Sequence, residues 1–223
     1  MIKLAEPVFH SIQGEGIYQG VPMVFIRFAG CNLLIPCNYC DTPYAQDGSR
    51  GPEISVEEVL SKVQELAPYY KSWVCITGGE PVFQLDELHS LVKALKRYGY
   101  RVEVETNGSI EKPYWWTLVD SWVFDIKCPS SGVCGVSLYD WFETRRADQA
   151  KFVVGTVEDL DFSRKVIMEN AVKYPTVLVS PVLDSRGKWN EKWLPEVAEF
   201  CKELRVRLSL QIHRVIYGNR KGV

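Results

Sequence analysis

The chain has 223 residues, 46% of them hydrophobic, and a formal charge of -2. That length and apolar share suit one sizeable soluble domain with a full core. It has no apolar run long enough to cross a bilayer and no block of like charge, which excludes a membrane span and an extended nucleic-acid surface built from clustered Lys and Arg.

Taken in order, the first distinctive stretch is Gln13-Gly14-Glu15-Gly16, after Ile12. Two glycines around a glutamate allow a tight turn, and the plain reading is a turn before a strand. Met23 to Gly30 is an apolar run of buried-strand length. It leads into Cys31-Asn32-Leu33-Leu34-Ile35-Pro36-Cys37-Asn38-Tyr39-Cys40, three cysteines within ten residues. An odd total of seven cysteines and the lack of a secretory leader argue against disulfides and for the cytoplasm. Structural zinc normally closes its tetrahedron with a fourth Cys or His. His10, His89 and His213 are far away in sequence, and Cys75, Cys128, Cys134 and Cys201 form no second cluster. Three thiolates without a fourth fit an iron–sulfur cluster with one iron open to a ligand; zinc and free buried thiols are the other readings.

Ser55-x-x-Glu58 reads as a capping box opening a helix with Val56, Val59, Leu60, Val63 and Leu66 on one face. A strand over 73–76 ends at Thr77-Gly78-Gly79-Glu80-Pro81. The helix stripe Leu85, Leu88, Leu91, Val92 and Leu95 is closed by Gly99. Strand 101–104 runs into Glu105-Thr106-Asn107-Gly108, and strand 122–124 into Asp125-Ile126-Lys127. Strands over 152–154, 177–179 and 208–212 follow, with helices over 158–173 and 191–204. This alternation predicts an α/β fold with a parallel sheet. The unusual residues, from Gly30-Cys31 to Ser180-Pro181 and Gln211 to His213, all fall where a strand finishes. In α/β barrels those ends build the active site. Asp125 and Lys127 read either as a rim salt bridge or as ligand contacts, Asp41 as a turn residue bonding backbone amides, and His213 as a rim site or a structural histidine. Trp115, Trp116, Trp141, Trp189 and Trp193 read as packing or dimer contacts.

The cysteine stretch resembles the cluster motif of radical S-adenosylmethionine (SAM) enzymes, in which an aromatic residue, here Tyr39, precedes the last cysteine. Five residues separate Cys31 from Cys37, where the usual pattern has three. Thr77 to Pro81 resembles the same superfamily's Gly-Gly-Glu-Pro motif, which receives the amino group of SAM. Gln13 to Gly16, with Gly20-Val21-Pro22 and Phe25-Ile26-Arg27, resembles the N-terminal signature of the 7-carboxy-7-deazaguanine synthase family, and Tyr217 to Val223 resembles the ending of some of its members. The likeness spans Gln13 to Val223 and is thinnest between 130 and 175.

The resemblance implies a single-domain partial (β/α)6-type TIM barrel of the radical SAM type over 1–223, with an N-terminal substrate-binding segment and a C-terminal tail closing the site. It implies a [4Fe-4S] cluster on Cys31, Cys37 and Cys40 that cleaves SAM. SAM contacts are implied for Tyr39, Asp41, Gly78, Gly79, Glu80, Asp125, Lys127, Ser180 and Pro181. Substrate contacts are implied for Ile12, Gln13, Gly14, Glu15, Arg27, Thr77 and Val223. Mg2+ falls to Thr42, with Asp41 orienting its waters. Related sequences often carry Ser-Pro-Lys where this one has Asp125-Ile126-Lys127, so only Lys127 carries over unchanged. The implied activity is that of a carbon–nitrogen lyase converting 6-carboxy-5,6,7,8-tetrahydropterin to 7-carboxy-7-deazaguanine with loss of ammonia. It would act in the cytoplasm as a homodimer, with an electron donor such as flavodoxin or ferredoxin. Two rivals share part of the pattern. A radical SAM activase of a glycyl-radical enzyme needs no Gln13–Gly16, and a non-enzymatic zinc or iron–sulfur module needs no Thr77–Pro81.

Overall fold

The computed structural model describes residues 1–223 apart from Arg50, Tyr70, residues 171–174, Ser185, Arg186 and Asn219. In chain order its main elements are β1 (Ile2–Lys3), β2 (Phe9–Ile12), β3 (Pro22–Phe28), β4 (Glu53–Ile54), α1 (Val56–Leu66), β5 (Trp73–Gly78), α2 (Leu85–Arg97), β6 (Arg101–Thr106), β7 (Ser121–Ile126), β8 (Gln149–Val154), α3 (Val157–Glu169), β9 (Thr176–Pro181), α4 (Trp193–Leu204), β10 (Arg207–Leu208) and α5 (Ile212–Tyr217). Strands β1 and β4 form an antiparallel ribbon. The rest make one eight-stranded sheet in the order β10-β9-β8-β7-β6-β5-β3-β2. Neighbours are parallel except β2, which pairs antiparallel with β3 at the edge. Six full-length parallel strands, β3 and β5 to β9, match the expected barrel count, and β10 adds two residues.

Alternation along each strand sorts the two faces. Val24, Ile26 and Phe28, Val74 and Ile76, Val102 and Val104, Trp122 and Phe124, and Ala150, Phe152 and Val154 pack in one cluster with the helix residues Val59, Val63, Leu88, Leu91, Leu95, Val166, Val197 and Phe200. Each such side chain contributes about 1.5–3 kcal/mol when fully buried, so this outer layer can hold the sheet while the inner face carries polar groups. At the strands' N-terminal ends the inner face is filled by a Phe9–Phe25 stack at 5.3 Å and by Tyr18 on Trp73 at 4.2 Å. Trp115 and Trp141 are core residues, as packing predicts. Helix α1 begins with the expected capping box: Ser55 Oγ accepts from Glu58 N at 3.2 Å, and Glu58 Oε2 accepts from Ser55 N at 2.9 Å.

Two sequence expectations need adjustment. The helix expected over 158–173 ends at Glu169, and 171–173 lie outside the described residues. The strand expected over 208–212 stops at Leu208, and α5 begins at Ile212. Its polar groups are recruited elsewhere: Ser209 Oγ accepts from Gly16 N at 3.0 Å, Leu210 O accepts from Gln19 Nε2 at 2.6 Å, and Ile212 N donates to Gly14 O at 3.0 Å. These bonds draw the loop between β2 and β3 to the far edge of the sheet, curling it toward a barrel. Among the described residues no helix is long and apolar enough to cross a membrane.

Candidate active site

The cysteine loop leaves β3 at its C-terminal end. Its base is closed by Gly30 N to Ala45 O at 2.8 Å and Cys31 N to Gln46 O at 3.1 Å, and Cys40 N turns back onto Cys37 O at 3.0 Å. Asn38 ties the loop to the turn after β7, donating from N to Ser131 O at 2.9 Å and from Nδ2 to Ser130 O at 3.0 Å. Cys31, Cys37 and Cys40 are half-buried and face one cavity. Burial pushes the Cys31 and Cys37 thiols up from their usual range, and the neighbouring cysteines add to it. Among the described residues the one trio of ligand atoms lying within 4.8 Å of one another is Cys75, Glu103 and Glu105. The three loop sulfurs are therefore spread more widely. A tetrahedral zinc with Zn–S bonds of about 2.3 Å needs sulfurs closer together than that. The loop suits a larger cluster.

Gly79 follows β5 and lies against this loop. A Cβ there would fall 2.2 Å from Gly30 O and 2.6 Å from Ala45 O, so only glycine lets the motif reach the loop's backbone. Gly79 N donates to Phe28 O at 3.0 Å and Glu80 N to Gly30 O at 2.8 Å. The Glu80 side chain turns inward and is fully buried. It accepts from Val82 N at 2.9 Å, Thr106 Oγ1 at 2.8 Å and Asn107 N at 2.6 Å, tying β5 to β6. Burial pushes its carboxyl up to about 7 against those donors.

A row of alternating charges crosses the inner face. Lys127 Nζ pairs with Asp125 Oδ2 at 2.5 Å, Lys151 Nζ with Asp125 Oδ1 at 3.4 Å and with Glu15 Oε2 at 3.3 Å, and Gln211 Nε2 donates to Glu15 Oε1 at 2.8 Å. Burial alone would raise the Asp125 carboxyl, but Lys127 and Lys151 together hold it below the usual carboxylate range. The rim salt bridge between Asp125 and Lys127 therefore exists, and both residues line the cavity as well. Arg27 Nε donates to Glu6 Oε1 at 2.6 Å, which also accepts from Tyr44 OH at 3.0 Å. Lys221 Nζ sits 3.7 Å from the centre of the Tyr44 ring, bringing the last residues to the same wall.

Every residue expected at the site lines this cavity of about 900 Å3, with Glu80 the exception. Glu80 acts on its own loop from beneath. Asp41 takes side-chain donors where backbone amides were expected: Thr42 Oγ1 donates to its Oδ1 at 2.8 Å, and Arg214 Nη2 lies 3.4 Å from its Oδ2. His213 is a rim residue. Its Nδ1 would lie 1.7 Å from a Cβ on Gly14, so the glycine makes room for the ring. Burial lowers the imidazole's pKa.

Sequence reasoning missed Lys151 and gave no role to Glu105, which lines the cavity. The signal was present as strict alternation, Gln149 and Lys151 against Ala150, Phe152 and Val154 on β8, and Arg101, Glu103 and Glu105 against Val102 and Val104 on β6. The trio of Cys75, Glu103 and Glu105 already receives the Gln13 carboxamide, whose Nε2 lies 2.6 Å from Glu103 Oε1, 3.2 Å from Glu105 Oε1 and 3.8 Å from Cys75 Sγ. A donor occupies the place a cation would take.

Known proteins bear on this arrangement. A model of the radical SAM superfamily matches residues 25–118. Over 96% of this chain and 85% of the relative, the sequence is 39% identical to a 7-carboxy-7-deazaguanine synthase of Methanospirillum hungatei. The chain belongs to the 7-carboxy-7-deazaguanine synthase family. A family member of the same name from Koribacter versatilis is 34% identical over 97% of this chain and 98% of its own. In fold, the crystal structure of QueE from Escherichia coli matches this family member with a TM-score of 0.70 at 24% identity, covering 94% of this chain and 93% of that one. Streptococcus suis SuiB bound to precursor peptide SuiA matches with a TM-score of 0.56 at 14% identity, over 81% of this chain and 46% of that one. Membership makes the chain a radical SAM enzyme with the partial-barrel fold, and its cofactors are a [4Fe-4S] cluster, SAM and Mg2+.

Proposed function

We propose that this chain converts 6-carboxy-5,6,7,8-tetrahydropterin to 7-carboxy-7-deazaguanine, releasing ammonia. The observation that carries the reading is that the three loop cysteines, the Gly78-Gly79 turn and the segment Ile12 to Glu15 all line one cavity. Its size lies in the range of small-molecule sites. An activase would have no use for the last of these, and a metal-binding module no use for the second.

Cys31, Cys37 and Cys40 would hold the cluster, and their thiols, those of Cys31 and Cys37 raised by burial, must shed protons as it binds. Cluster and SAM together supply the hydrogen abstraction that starts the reaction. Tyr39, Asp41, Gly78, Gly79, Asp125, Lys127, Ser180 and Pro181 orient SAM, with Glu80 keeping the glycine turn in place. On the substrate side, a pterin edge presents adjacent N–H donors, which suit the Glu105 carboxylate steadied by Gln13. Ile12, Gly14, Glu15, Thr77 and Val223 complete that wall. Residues 1–223 act as one domain, in which the N-terminal segment binds substrate and the tail from Arg220 to Val223 closes the site. The enzyme works in the cytoplasm as a homodimer, reduced by a donor such as flavodoxin or ferredoxin. The direct test is anaerobic reconstitution with iron and sulfide, followed by SAM cleavage with and without the carboxypterin. Product formed only with the pterin supports the reading, and SAM cleavage without product overturns it.

Arg27 pairs with the substrate carboxylate while Glu6 keeps its Nε. Arg27→Ala should weaken carboxypterin binding by roughly 2–4 kcal/mol, the scale for removing one partner of a buried charge pair, with SAM binding little changed. Unchanged pterin affinity would leave Arg27 as a strand-end salt bridge only.

Thr42 Oγ1 is the protein ligand of Mg2+, a cation that keeps several waters and needs few protein oxygens. Asp41, bonded to Thr42 Oγ1, orients those waters. Mg2+ should raise wild-type turnover, and Thr42→Ala should lose most of that response while keeping its iron and its uncoupled SAM cleavage. A Thr42→Ala enzyme that answers Mg2+ as the wild type does would refute the assignment.

A further inference from the structure

Glu103 lies two residues before Glu105 on β6, on the same face of the strand, but it is 1% exposed and does not reach the cavity. Among the described residues no Lys, Arg or His pairs with it. A buried carboxyl without a cation is costly unless its oxygens are hydrogen-bonded. Its oxygens are taken by two carboxamides: Gln13 Nε2 donates to Oε1 at 2.6 Å and Gln149 Nε2 to Oε2 at 3.0 Å. Burial, and then Glu105, push its carboxyl up to about 8, while both carboxamides and the Ser121 hydroxyl favour the ionised form.

A carboxamide held by its NH2 end has its oxygen end fixed as well. Gln13 Oε1 accepts from Glu15 N at 3.3 Å, and Gln149 Oε1 accepts from Ile17 N at 2.8 Å. Gly16 sits close above Gln149, since a Cβ there would fall 2.4 Å from Gln149 Oε1. One buried carboxyl thus stands behind the two carboxamides that, together with Ser209 Oγ on Gly16 N, pin the segment from Gln13 to Ile17, which presents Gly14 and Glu15 to the cavity.

We propose that Glu103 is a positioning residue for substrate binding, orienting the carboxamides of Gln13 and Gln149 so that they hold segment 13–17 against the cavity. This rests on the substrate role given to that segment. In Glu103→Gln one acceptor becomes an NH2 donor facing another NH2. Gln13 Nε2 keeps Glu105 Oε1 at 3.2 Å and Gln149 Nε2 keeps Ser121 Oγ at 3.0 Å, but one of the two loses its Glu103 acceptor to a facing NH2, which loosens its hold on Glu15 N or Ile17 N.

The test uses reconstituted holoenzyme and two readouts. Glu103→Gln should raise KM for the carboxypterin about tenfold, the scale of one lost buried hydrogen bond, with kcat, iron content and uncoupled SAM cleavage near wild type. Amide hydrogen exchange at Glu15 or Ile17 should speed up by a similar factor while exchange along β6 stays put. Gln149→Met, which touches neither the cavity nor Gln13, should speed exchange at Ile17 and gives a second route if Glu103→Gln does not fold. Wild-type KM together with wild-type exchange in a folded Glu103→Gln would overturn the proposal. So would unchanged exchange at Ile17 in Gln149→Met, or equal losses of kcat, iron and thermal stability, which mark a merely structural role. Exchange needs no substrate, so it decides the positioning even if the wild type fails to turn over the pterin, a result that would count against the substrate reading instead.

Discussion

Cys37→Ala should lose its iron and all turnover, whereas Cys75→Ala should reconstitute to about four irons per chain like the wild type. The two cysteines differ in what surrounds them. Cys37 is half-buried, faces the cavity and belongs to a loop whose base and turn are fixed by backbone bonds. Cys75 lies fully buried on β5, in register with Phe25 and Glu103, in contact with the Gln13 carboxamide and off the cavity wall. Burial holds its thiol well above the usual range, which opposes the thiolate a metal needs. Iron and sulfide content after anaerobic reconstitution measures the difference. Equal iron loss in the two variants would place Cys75 among the cluster ligands and overturn the assignment to Cys31, Cys37 and Cys40.

Gly79→Ala should unfold the motif from the cluster loop at a cost of about 1–3 kcal/mol or more, the range for forcing extra atoms into a packed site. The added methyl meets Gly30 O and Ala45 O, both backbone atoms, so neither can swing aside as a side-chain tip would. Those atoms also carry the loop's closure, since Gly30 N donates to Ala45 O and Glu80 N to Gly30 O. Stability and cofactor loading should therefore fall together. Gly155→Ala is the control, because the nearest atom to its Cβ is Val182 Cγ2 at 3.3 Å, the end of a side chain. Thermal unfolding and SAM affinity decide the matter: a Gly79→Ala protein that matches Gly155→Ala in both would show that the close approach has no consequence.

The sheet was legible because the strands' outer faces are runs of Val, Ile and Phe and their ends carry Gly, Cys, Thr, Glu and Asp. Cys31, Gly78, Asp125 and Ser180 could be gathered at one end without knowing the angle of any strand. Direction was harder. Glu80 sits in the most recognisable motif of the chain, yet its side chain points into the protein, because three donors wait for it there. Lys151, Glu103 and Gln149 were hidden because a polar residue on a strand looks solvent-facing until the far edge of the sheet curls round to cover it. Segment 208–212 misled for a related reason. Its Leu-Ser-Leu-Gln-Ile alternation is that of a strand, but Ser209, Leu210 and Ile212 bond with residues near the other end of the chain.

That last bonding pattern also sets a timetable. The contacts that shut the barrel join Gly16 to Ser209 and Gln19 to Leu210, 193 and 191 positions apart, whereas the three loop cysteines span ten residues. Closing so long a loop is the late and slow part of folding. A chain emerging N-terminus first has all three thiols outside the ribosome long before Ser209 is made. During synthesis the three cysteines are thus out of the ribosome while the loop between β2 and β3 still lacks the partners it bonds in the folded chain, so that side of the barrel is finished last.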